Sequence, residues 1–229
     1  MIKIESLSKK YGRKKVLSCV NLILEKGKVY GIVGENGAGK TTLFKCLTGL
    51  EAFEGKIDSS YKPLKDHIGY LPTEAFFFSK ITGGEYIQFF ANSRAIKLDN
   101  IHEKNIFGLP LHQYASTYST GMKKKLALTA ILVQQNDVYI LDEPFNGVDI
   151  QSNMIITELI LKLKKYGKTV VLSSHMYNSL SMICDEIHLL ENGSITKTVL
   201  KKDFNLLEEE LKNSTISNRV DQLFKKETS

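Results

Sequence analysis

Short apolar runs alternate with stretches of helical period along this chain, and the order in which they do so predicts its architecture. Ile2-Lys3-Ile4 and Val16 to Leu24 read as strands with a turn at Tyr11-Gly12 between them, which predicts an N-terminal antiparallel β region. The run Val29-Tyr30-Gly31-Ile32-Val33 predicts a buried strand, and Leu43, Phe44 and Leu47 behind it fall at helical spacing. Ile57 and Ile68-Gly69-Tyr70-Leu71 predict short strands, the second closed by Pro72. Residues 82–115 read as a helical insertion opened by the capping box Thr82-Gly83-Gly84-Glu85. A helix over about 120–135 carries Met122, Leu126, Ala130 and Val133, and the strand Val138-Tyr139-Ile140-Leu141 follows it. A helix over about 151–166 leads to a strand over Lys168 to Leu172, and Asp185 to Leu190 and Ile195 to Val199 predict closing strands around the turn Asn192-Gly193. Beyond about 202, Phe204, Leu207 and Leu211 share one helical face, as in a docking helix, and the last dozen residues read as frayed.

Strands alternating with helices predict an α/β fold with a mainly parallel sheet covered on both faces. The expected organisation is one domain over 1–229, with a small helical subdomain at about 74–135 and a C-terminal tail at about 202–229. Composition adds bounds. The longest nearly unbroken apolar stretch, Leu126 to Val133, falls short of the ~20 residues that span a bilayer, and Met1 to Glu5 lacks a signal-peptide core, so a soluble cytosolic protein is expected. Cys19, Cys46 and Cys184 are odd in number and widely separated, which predicts reduced, buried thiols. Lysine and arginine total 31 against 25 acids, a net charge of +6 spread over pairs and the Lys123 to Lys125 run. Scattered lysines read as a solvated face before they read as a surface for nucleic acid or anionic membrane.

One octapeptide carries chemistry by itself. Gly34-Glu35-Asn36-Gly37-Ala38-Gly39-Lys40-Thr41 is a GxxxxGK[ST] phosphate loop in its strand–loop–helix context. Its glycines let the backbone curl so that N–H groups and the following helix N-terminus face one anion. Lys40 is expected to reach the β and γ phosphates, and the Thr41 hydroxyl to ligate Mg2+. A nucleoside triphosphate ligand is therefore expected. The acid pair Asp142-Glu143 ends a buried strand; it reads either as a metal-binding carboxylate followed by a general base or as a plain loop pair. Ser119-Thr120-Gly121 opens the helix before that strand, and Ser173-Ser174-His175 ends the next strand.

Taken in order, these motifs resemble the ATP-binding cassette family, the ATPase subunits of ABC transporters, over roughly residues 2 to 200. The resemblance rests on Tyr11, the phosphate loop, Gly69-Tyr70-Leu71-Pro72, Tyr118-Ser119-Thr120-Gly121-Met122, the acid pair, Asn146-Gly147-Val148-Asp149 and His175. It implies a P-loop NTPase core binding ATP and Mg2+. The implied ATP contacts are Tyr11, stacked on adenine, and Gly34, Glu35, Asn36, Gly37, Ala38, Gly39, Lys40, Thr41 and Thr42. Thr41 and Asp142 are the implied metal ligands; Glu143, His175 and Lys40 are the implied catalytic set, with His175 bonded to the γ-phosphate and the attacking water. Ser119, Gly121 and Asp149 would act in trans, completing the site of a second subunit in a dimer around two ATP molecules.

The same resemblance implies an ATP-hydrolysing motor on the cytoplasmic face of the cell membrane, bound to separate integral transporter subunits and to a second nucleotide-binding subunit, with no nucleic acid partner. The signature variant is similar to that of export-type cassettes. A soluble cassette ATPase acting on nucleic acid or ribosomes is the alternative; it lacks the coiled coil or second cassette such proteins use, since about a hundred residues separate Lys40 from Asp142 without a heptad run. The chain departs from the family pattern at Thr73, where a glutamine is usual. Water or Glu74 substitutes, or coupling is looser, or Thr73 is a simple loop residue. Phe76-Phe77-Phe78 either lines a groove for the membrane subunit or places two of its rings in the core.

Overall fold

Nine strands and five α-helices are described over residues 1–174 and 177–207 of the computed structural model. Three strands, β1 (Ile2–Tyr11), β2 (Lys14–Leu24) and β4 (Glu54–Ser59), form an antiparallel sheet in the order β2-β1-β4. Between β2 and β4 the chain runs through β3 (Val29–Val33) and α1 (Lys40–Leu47). With β5 (Ile68–Leu71), β6 (Val138–Leu141), β7 (Thr169–Ser173), β8 (Glu186–Glu191) and β9 (Ser194–Leu200), β3 builds a second sheet in the order β5-β6-β7-β3-β8-β9. Its first five strands run parallel and only β9 is antiparallel, paired with β8 around the expected Asn192-Gly193 turn.

The parallel strands are buried on both sides, so their sequences are continuously apolar, yet alternate residues serve different cores. Val138 and Ile140 of β6 face the core shared with α1 and the antiparallel sheet, whereas Tyr139 and Leu141 face the core covered by α3 (Thr120–Val133) and α4 (Ile150–Lys165). A third apolar cluster joins α2 (Gly83–Asn92) to α3. Within α3, Leu126, Ala130 and Val133 belong to this helical layer, and Ala127, Leu128 and Ile131 belong to the sheet core.

Several expectations are corrected. The capping box is present, Thr82 accepting from the Glu85 N–H and Glu85 from the Thr82 N–H, but the α-helix it starts ends at Asn92. The rest of 82–115 is turns and short 3-10 segments, Ile101–Lys104 and Ala115–Thr117, since Pro110 and the turn at Gly108 interrupt helical propagation. A seven-residue helix, α5 (Tyr177–Ile183), was not anticipated. Cys46 and Cys184 are buried as expected, but Cys19 is exposed, at a positive φ where β2 slips register against β1. In the Lys123 to Lys125 run, Lys124 is buried rather than solvated. Phe204 and Leu207 dock into the main core, while Leu211 lies outside the described residues. Among the described residues no helix is long and apolar enough to cross a membrane.

Candidate functional site

The end of β3 delivers the glycine loop into α1 under a tight roof. A Cβ on Gly34 would sit 2.3 Å from the Leu190 carbonyl oxygen, so the end of β8 admits only glycine there. Gly39, at φ 113, is the α1 N-cap and makes no side-chain cap bond, which leaves the first N–H groups of α1 directed outward. Lys40 is buried; its Nζ donates to the carbonyls of Gly34 at 2.6 Å and Glu35 at 3.2 Å and lies 3.8 Å from Glu143 Oε1.

Asp142, at the end of β6, is fully buried and receives three hydroxyl groups. Thr41 donates to Oδ2 at 2.6 Å, Thr73 to the same oxygen at 2.8 Å, and Ser173 to Oδ1 at 2.6 Å. Thr73 is therefore not a simple loop residue: its short side chain reaches the site by bonding the carboxylate itself. Glu143 follows in a left-handed backbone conformation, φ 51, unusual for a residue with a Cβ. Its N–H donates to Ser173 Oγ at 2.9 Å, and its carbonyl accepts from Lys124 Nζ at 2.7 Å.

Of these groups Gly39, Lys40, Thr41, Thr73, Asp142 and Glu143 line one open cavity of about 690 Å³. Its wall includes segments that belong to none of the sequence motifs, Lys14 to Val16 at the start of β2 and the Asn192-Gly193 turn. The two are locked together: Ser18 N–H donates to the Gly193 carbonyl at 2.8 Å and Ser194 Oγ to the Ser18 carbonyl at 2.9 Å. Nothing in the local sequence signals this, because the contact joins residues far apart in the chain. Tyr11 is outside the lining and half exposed; the Lys9 ammonium lies over its ring at 4.8 Å, and burial and a bond with Glu51 raise its hydroxyl pKa.

The three residues expected to act in trans are outside the cavity lining. Ser119 is exposed, caps α3 by accepting from the Met122 N–H at 3.3 Å, and lines no part of the cavity. A Cβ on Gly121 would come 2.6 Å from the Gly147 carbonyl oxygen, so α3 and the loop before α4 touch backbone to backbone. Asp149 caps α4, accepting from Ser152 N–H at 2.8 Å, and bonds Lys125 at 3.2 Å; the Ser152 backbone and hydroxyl bonds, then Lys125, hold its carboxyl well below the usual range. His175 lies outside the described residues.

After β5 the chain places Phe77 against Tyr86, ring centroids 4.6 Å apart, but leaves Phe76 74% and Phe78 52% exposed. Only one ring of the triplet packs inward, so of the two alternatives the one with two rings in the core is not met. Phe78 meets the exposed Phe89 edge-on at 6.1 Å.

Magnesium is tested by the donor set. Among the described residues no group of three His, Cys, Asp or Glu side chains is placed to hold a metal. A hard-oxygen ion fits here through the Asp142 carboxylate and the Thr41 hydroxyl, with phosphates supplying the remaining oxygens.

A glycine cradle at a helix N-terminus, with a buried carboxylate at the end of a neighbouring parallel strand, defines a P-loop nucleoside triphosphatase. The sequence profile described as ABC transporter matches residues 17–146, more than half the chain. The chain is 34% identical over 213 residues to the bacitracin transport ATP-binding protein BcrA of Enterococcus faecalis, covering 87% of this chain and 69% of that protein. It is 32% identical over 232 residues to the lantibiotic transport ATP-binding protein SrtF of Streptococcus pyogenes, covering 94% and 97%. A solved ATP-binding subunit of an ABC transporter shares the fold at TM-score 0.80 and 23% identity, covering 93% of this chain and 98% of that one. The chain belongs to the ABC transporter family, as an ATP-binding subunit that hydrolyses ATP.

Proposed function

We propose that this chain drives export through separate membrane subunits by closing on a second copy of itself around two ATP molecules. The observation that carries the reading is the division of labour described above. The phosphate loop, Asp142 and Glu143 share one cavity, whereas Ser119, Gly121 and Asp149 are outside its lining and Ser119 and Asp149 are exposed, which suits contact with another molecule's ligand.

In this reading the loop N–H groups and Lys40 bind the phosphates and Tyr11 stacks on the base. Thr41 and Asp142 hold Mg2+, which when bound neutralises charge on the phosphates. Glu143 accepts the proton of the attacking water, and His175 orients that water against the γ-phosphate. The partner's Ser119-capped helix supplies the remaining contacts. ATP thus favours the closed dimer, and cleavage removes the bridge; that difference in stability is available to move a membrane partner.

The bacitracin and lantibiotic transport relatives support the export direction, and the exposed Phe76, Phe78 and Phe89 rings suit an apolar anchor from a membrane subunit, which supports a position at the cytoplasmic face. The test is hydrodynamic. Glu143→Gln protein with ATP and Mg2+ should migrate as a dimer and revert to monomer with ADP; monomer under saturating ATP overturns the reading. Recovery of the chain with ribosomes or DNA rather than an integral membrane protein would favour the soluble alternative.

A further inference from the structure

We propose that Lys124 is the positioning residue for Glu143: its buried ammonium, bonded to the Glu143 carbonyl, fixes the left-handed peptide that aims the carboxylate into the nucleotide cavity. The proposal rests on Glu143 being the general base.

Three observations converge. First, Lys124 is 6% exposed and its Nζ lies 2.7 Å from the Glu143 oxygen, whereas its neighbour Lys125 bonds the exposed Asp149. Burying an ammonium is costly, and a neutral amide would make the same kind of bond with a smaller desolvation penalty. Burial lowers the Lys124 pKa, and the charges of Glu143 and Asp142 oppose that shift.

Second, Glu143 needs holding. A residue with a Cβ at φ 51 relaxes toward right-handed or extended backbone unless its flanking peptides are fixed, and such relaxation would swing its side chain. Ser173 fixes the N–H side, and the carbonyl side accepts from Lys124 at 2.7 Å and from the Asn146 N–H at a longer 3.2 Å. The two side-chain anchors come from different elements, β7 and α3, so tertiary contacts hold the conformation in addition to the local turn bond from Asn146.

Third, Lys124 stands five residues after Ser119 on the same helix. Its bond therefore ties the helix whose cap is offered to a partner to the backbone of this chain's own acid. Glu143 is thus placed relative to α3 as well as to β6.

The experiment compares Lys124→Met and Lys124→Gln in the full chain, alone and in a Glu143→Gln background. Lys124→Met should lower kcat by about tenfold to a hundredfold with KM for ATP within about twofold, the cost of a misplaced reacting group. Lys124→Gln, which keeps a donor, should recover part of the loss. In the Glu143→Gln background either substitution should leave ATP-driven dimer formation unchanged. Wild-type kcat in Lys124→Met beside inactive Glu143→Gln overturns the proposal alone. Parallel loss of dimer formation in the Glu143→Gln background also overturns it, because Lys124 would then serve α3 as a whole. If Lys124→Met does not fold, Lys124→Gln carries the same comparison. Full turnover in Glu143→Gln would remove the general-base reading and this proposal with it.

Discussion

The glycine cradle and the Ser119 edge are built from opposite materials. At the cradle three charged residues are tied down: Lys40 to two loop carbonyls, Asp142 to three hydroxyls, Glu143 by both flanking peptide groups. At the edge, Ser119 and Asp149 are exposed and bond only to their own helix starts and to Lys125. The contrast teaches that rigidity is spent where charge must be placed, while the surface proposed to meet a partner's nucleotide is left exposed.

Breaking the cradle should cost most. Glu143→Gln is expected to lower phosphate release by about a thousandfold while a fluorescent ATP analogue still binds, the range seen when a general base is removed. Ser119→Ala tests the edge. Steady-state turnover should fall about a hundredfold, as for loss of one preorganised donor, with ATP binding by the monomer unchanged. Mixing Ser119→Ala with Lys40→Ala protomers should restore part of the activity, since one of the two composite sites is then intact; weakened ATP binding by isolated Ser119→Ala would erase the distinction between the regions.

A third measurement concerns the wall beside the cradle. His188 on β8 stacks on Tyr30, bonds Thr198 at 2.9 Å, and burial lowers its pKa to about 4. The unfolded chain binds this proton near pH 6.5 and the folded chain only near 4, so stability is full above 6.5 and declines as pH falls through that window. About 2 kcal/mol should be lost between pH 7 and 5, read from urea midpoints, and His188→Phe should flatten that slope. The smallest effect is expected at Thr73. Thr73→Val should raise the Mg2+ concentration for half-maximal turnover about tenfold, as for loss of an outer-shell bond, and Thr73→Ser should restore it. An unchanged metal requirement would show that two hydroxyls suffice to set Asp142.

Much of the fold was legible because its cues are local. The strand–loop–helix around residues 34–41, the capping box at Thr82 and the turn at Asn192-Gly193 each draw on residues a few positions apart. Where the cue is absent the reading failed. Helical composition over 93–115 could not reveal that turns interrupt it, and the seven residues of α5 are too few for a periodic signal. At the site, residue types announced Lys40, Thr41 and Asp142. Lys124, Ser173 and the Lys14 to Val16 wall were silent, because their roles depend on which way a side chain turns and on contacts between distant segments.

One helix has a mechanical consequence for the whole chain. Because α3 gives Leu126, Ala130 and Val133 to the helical layer and Ala127, Leu128 and Ile131 to the sheet core, it cannot slide against either without disturbing both. If a membrane subunit bears on the exposed phenylalanines as proposed, α3 would carry that push as a stiff strut whose tip is Ser119. Force and chemistry would then share a single axle.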